Sequence, residues 1–154
     1  MAMIRMLTAI LGLLVASCSA AEVRGDAAIL PGSAVSEILD QCSRDSPAPG
    51  DATWRPEWQD VLKLEAELPA AVAASPERRG LVVGQLPIGW KRQYVGIVRN
   101  GERFLYGNFY PVRSGLGEDR IAEPLIICDG GPEYFGVEYD LKAGRFSHLA
   151  FNGP

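Results

Sequence analysis

Residues 126–140 of the 154-residue chain, IICDGGPEYFGVEYD, place one cysteine, two adjacent glycines and four carboxylates within fifteen positions. Three chemistries use such a set. A thiolate beside a base attacks carbonyls, which would make Cys128 a nucleophile. Paired carboxylates do acid and base work, and Asp129, Glu133 and Glu138 are the candidates. Oxygen ligands around a glycine turn hold calcium, and Asp129 and Glu133 flank Gly130-Gly131-Pro132. Each reading meets an obstacle. Cys128 follows Leu125-Ile126-Ile127, a run suited to a buried central strand, where a thiol is inert. The alternating ligands of a dedicated calcium loop are missing. The single histidine, His148, falls opposite Val137 on the core side of a hairpin, so packing is expected of it rather than ligation. The stretch therefore reads as a structural corner: Gly130 and Gly131 permit a tight turn and Pro132 stops the ladder. No catalytic residue, metal site or cofactor is expected.

The elements that position this corner follow from hydrophobic spacing. SAVSEILDQCS puts Val35, Ile38, Leu39 and Cys42 on one stripe of a short helix, with Ser33 available as cap. RPEWQDVLKLEAELP reads as a second helix from Pro56, with Val61, Leu64 and Leu68 inward and Pro69 ending or kinking it. From Trp90 the period changes to two. Asn100-Gly101 is the strongest short hairpin signal, and a two-residue turn pairs Arg99 with Glu102, Ile97 with Phe104 and Val95 with Tyr106. PLIICDG follows as a central strand. YFGVEYDLKAGRFSHLAFNG is a second hairpin turning near residues 141–144, with Asp140 opposite Arg145 and Tyr139 opposite Phe146. The fold class expected is α+β, N-terminal helices packed on a curved antiparallel sheet of four or five strands, cystatin-like by analogy. With both helices on the Ile97/Phe104 face, the other face, carrying Tyr94, Leu105, Phe109 and Leu149, is expected to remain partly wet as a recognition surface.

The N-terminus, MAMIRMLTAILGLLVAS, has one cation, Arg5, and then an apolar run from Met6 to Ala16. That run is about 11 residues, short of the roughly 20 that span hydrocarbon, and it reads as an export signal over residues 1–17. Val15-Ala16-Ser17-Cys18 resembles the lipobox of bacterial lipoproteins. The resemblance implies that Cys18 receives a diacylglycerol, becomes the first mature residue, is N-acylated and holds the chain in the periplasmic leaflet of the outer membrane; cleavage after Ser19-Ala20-Ala21 to a soluble periplasmic form is the alternative. Residues 18–32 then read as a lipidated tether holding the domain roughly 20 Å from its anchor, and residues 33–154 as one globular domain. With Cys18 assigned to lipid, the odd count of three cysteines becomes a pair, and in an oxidising compartment Cys42 and Cys128 read as a disulfide.

The formal charge is −4 and the sequence pI about 5.0, which argues against nucleic acid as a partner. Residues 77–103 carry six Lys/Arg against two Asp/Glu, and residues 118–140 carry one against seven. The CDGG, FGVEYD and NG segments of the ending resemble a group of small bacterial envelope lipoproteins without an assigned activity, so the resemblance brings no site residues. The functional expectation is a non-catalytic, lipid-anchored envelope protein that binds or supports another envelope protein or wall component. The alternatives are a small wall-acting hydrolase using the carboxylates above, or an inhibitor inserting a loop such as 111–124 into a foreign wall-degrading enzyme.

Overall fold

The computed structural model describes residues 20–114 and 120–153. Their frame is one seven-stranded mixed sheet with two helices, not helices laid on a four- or five-stranded antiparallel sheet. The strands are β1 (Glu22–Arg24), β2 (Ala27–Ile29), β3 (Ala52–Trp54), β4 (Trp90–Arg99), β5 (Glu102–Pro111), β6 (Phe135–Asp140) and β7 (Arg145–Phe151). They lie in the order β1-β2-β4-β5-β6-β7, and β3 also pairs with β4. The β2–β4 pair is parallel and the others are antiparallel.

Two of the three unexpected strands, β1 and β2, come from the stretch expected to be a tether, and β3 comes from the segment before α2. AEVRGDAAIL alternates too little to announce strands, yet Ala27, Ala28 and Ile29 are buried and pair with Arg92, Gln93 and Tyr94. Ala27 and Ala28 are small enough to let β2 lie under cover on both faces. β2 takes the first half of one edge of β4 and β3 takes the second, so β4 is flanked along its length.

The β4–β5 hairpin turns at Asn100-Gly101 in the expected register, Arg99 opposite Glu102 through Trp90 opposite Pro111. Both turn residues have positive φ, as a type I′ turn requires. In the second hairpin a bulge at Glu138/Tyr139 shifts the register, so Val137 meets Leu149 and Glu138 meets His148. His148 therefore faces away from Val137, contrary to the four-residue-loop expectation.

The helices sit on opposite faces. α2 (Trp58–Ala74) starts where Asp60 reaches back to accept a hydrogen bond from the Glu57 N–H at 3.2 Å. It buries Val61, Leu64, Leu68 and Val72, and it continues through Pro69 because Leu68 and Val72 on either side are both packed in the core. Its footprint is Tyr94, Leu105, Phe109, Phe135 and Val137. α1 is only Val35–Leu39, and its Val35, Ile38 and Leu39 pack with Val95, Ile97 and Tyr106 on the reverse face. Two helices thus seal two faces, so Tyr94, Leu105 and Phe109 are each 0 % exposed, and Leu149 packs half-buried against the same cluster. The recognition surface expected there is core.

Candidate functional site

The CDGG corner is pinned from every side. Cys42 and Cys128 form a disulfide with Cα atoms 5.1 Å apart. Neither cysteine lies on the element expected: Cys42 is beyond the end of α1, residues 124–128 form no strand, and both cysteines are exposed. Asp129 and Gly130 have left-handed φ of 70° and 95°. A Cβ on Gly130 would fall 2.7 Å from the Tyr134 ring, so this position requires glycine on both counts. The Asp129 N–H donates to Ser43 Oγ at 2.9 Å, the Gly131 N–H donates to the Gly153 carbonyl at 3.0 Å, and Asn152 Nδ2 donates to the Ile127 and Asp129 carbonyls.

A buried polar network extends this pinning across the reverse face. Arg44 reaches over Gly136, whose own Cβ would collide with the Tyr106 hydroxyl at 2.4 Å. Its guanidinium donates to Asn152 Oδ1 and Asn108 Oδ1, each at 2.6 Å, and to the Tyr106 hydroxyl at 3.3 Å. Asn108 Nδ2 donates to Gln93 Oε1 and to the Leu125 carbonyl. Gln93 accepts from the Leu125 N–H at 3.0 Å and donates to the Ile121 and Glu123 carbonyls. Side-chain amides thus supply the irregular segment 121–129 with partners a neighbouring strand would have given.

The three carboxylates proposed as acid and base do not share one environment. Glu138 is 2 % exposed and held by the Arg99 guanidinium and, at 2.7 Å, by Ser147 Oγ. Glu133 pairs with Arg113 on the surface. Asp129 is exposed at the corner, with no ion pair among the described residues. Among the described residues no group of three His, Cys, Asp or Glu is placed to hold a metal ion. His148 faces the loop above it, its Nε2 lying 3.0 Å from the Asp45 carbonyl.

Two of the clefts formed by the described residues concern the site. One, of about 520 Å³, lies between the segment 79–90 and the turn 130–133. Trp90 lines it, donating its indole N–H to the Glu133 carbonyl at 3.0 Å, and Arg79 and Arg113 stand at its rim. Among the described residues, Arg79, at φ 42°, has no partner, and its segment carries the two most exposed large apolar side chains, Val82 at 72 % and Ile88 at 76 %. The other cleft, of about 540 Å³, is bordered by Glu22, Arg24, Arg55, Glu57 and Trp58. There the Trp58 indole donates to Glu22 Oε1 at 2.6 Å, and this hydrogen bond, more than the nearby Arg24 and Arg55, holds the Glu22 carboxyl below its usual pKa.

Sequence reading missed both clefts and the network. Asn108 and Gln93 stood among large apolar neighbours in strands already identified, and that mismatch was the available signal. Val82 and Ile88 sit in GLVVGQLPIG, an apolar stretch with neither helical nor strand period. The export signal over residues 1–17, Cys18 and the middle of the loop 111–124 lie outside the described residues. No family model, curated protein or solved structure matches the chain.

Proposed function

We propose that the chain is a lipid-anchored envelope protein that works by binding another envelope protein, with the cleft between residues 79–90 and 130–133 as its contact. The observation that carries this reading is Val82, 72 % exposed in the lining of a cleft it shares with Trp90 and with Arg79, which has no partner among the described residues; Ile88 is exposed on the same segment. Exposed apolar side chains next to a cation suit an extended protein segment bearing apolar and acidic residues. Hydrolysis draws less support, because Glu138 is buried and clamped while Glu133 is already neutralised by Arg113. Anchoring rests on the sequence alone, on the apolar run that ends at Val15-Ala16-Ser17-Cys18.

The test is photocrosslinking in intact cells from a reactive amino acid at position 85, which lines the cleft, with position 145 as control. One discrete adduct from 85, abolished by Val82→Ser, is expected. Equal patterns from both positions would remove the cleft from consideration. Metabolic labelling with a palmitate analogue, wild type against Cys18→Ser, tests the anchor separately.

A further inference from the structure

The geometry points to a second contact, in which the cleft edge formed by β1 and the start of α2 rests directly on the lipid bilayer. This rests on acylation of Cys18. Ala20 is already part of the folded body: its carbonyl accepts a hydrogen bond from Arg55 at 3.2 Å, and Ala21 packs against the α1-side core. Only two residue steps separate Ala20 from Cys18, which span at most about 7 Å. An acylated Cys18 therefore holds Arg55 and its neighbours within the headgroup layer, and the roughly 20 Å stand-off of a flexible tether does not arise.

The side chains at that exit point suit a wet-to-apolar boundary. Trp58 hydrogen-bonds Glu22 and lies under the Arg24 guanidinium, whose carbon is 4.7 Å from the ring centroid. Tryptophan is the residue enriched at headgroup level, since its ring is apolar and its N–H polar. One helical turn further, Leu62 is 63 % exposed, and Val23 on β1 is 46 % exposed. The charges bordering the cleft cancel: Arg24 and Arg55 stand against Glu22 and Glu57. Contact is thus driven by the anchor and the apolar groups rather than by attraction to anionic lipid, and it does not weaken with salt as a polybasic patch does.

The opposite sheet edge provides the control. Arg145 on β7 is exposed and five strand spacings from β1, about 24 Å away. The acylated full chain, labelled with an environment-sensitive dye at Leu62→Cys or at Arg145→Cys, is bound to phosphatidylethanolamine vesicles, with or without phosphatidylglycerol, and quenched with brominated lipid. Several-fold stronger quenching at 62 than at 145, unchanged by salt and by phosphatidylglycerol, is expected. If the protein floats with the vesicles but the two labels quench alike, the seat is overturned and the anchor stands. If it floats no better than Cys18→Ser, the anchoring reading fails and the seat fails with it.

Discussion

The two faces of the sheet are covered by different means. On one, a seventeen-residue helix lays four aliphatic side chains on an aromatic floor in which Phe109 stacks on Phe135 at 4.8 Å and meets the Tyr94 ring edge-on. On the other, a five-residue helix covers only part, and irregular chain covers the rest. A helix satisfies its own backbone, so its floor can be apolar. Irregular chain cannot, so its floor presents Gln93, Asn108, Asn152 and Arg44. The identity of the cover thus dictates the chemistry of the strand beneath, even on opposite sides of β4, where Tyr94 and Gln93 are adjacent.

Breaking the apolar face should cost most. Phe109→Ala removes a ring at the centre of the stack, and a loss of about 3–5 kcal/mol is expected by denaturant titration; a loss under about 1 kcal/mol would mean the face is not sealed. Removing the covalent clamp with Cys42→Ala and Cys128→Ala together should cost about 2–5 kcal/mol and increase hydrogen exchange in 121–129 before the α2 face responds. Asn108→Ala takes one acceptor from the Arg44 guanidinium and one of two donors from the Leu125 carbonyl, at about 1–3 kcal/mol, again with exchange rising on that face alone.

Alkali sharpens the contrast less steeply. Tyr110, on the network side, is pushed from its usual 10.0 up to about 12, by burial first and Asp26 second. Because the fold favours the protonated phenol, its contribution is intact below pH 10.0 and declines as pH rises towards 12. Melting temperatures should fall across that window in step with phenolate absorbance, and Tyr110→Phe should flatten part of the fall. The smallest effect is expected at Leu62→Ser, within about 0.5 kcal/mol of wild type in solution, since that side chain is 63 % exposed.

Local signals carried the fold as far as they reached. Asn100-Gly101 set the register of the central hairpin, the spacing of Val61, Leu64 and Leu68 located α2, and cysteine count and compartment paired Cys42 with Cys128. What failed was non-local. Ala27-Ala28-Ile29 becomes a strand only because β4 offers an edge, and no property of these three residues announces a partner so distant in sequence. Leu125-Ile126-Ile127 has strand composition but is held by side chains, with Ile126 exposed. Assigning both helices to one face followed from counting them without knowing where the chain crosses the sheet edge, and it turned core residues Tyr94, Leu105 and Phe109 into a surface.

The parallel pairing of β2 with β4 also imposes an order in time. Ala27 meets Arg24 locally, but its other edge has no partner until Arg92 has been made and delivered, whereas β4 and β5 close on each other across two residues. A chain that leaves the membrane N-terminus first therefore releases the β1–β2 ribbon early and must keep its free edge waiting until the hairpin arrives. The strands nearest the proposed anchor are the first to emerge and wait longest for their place.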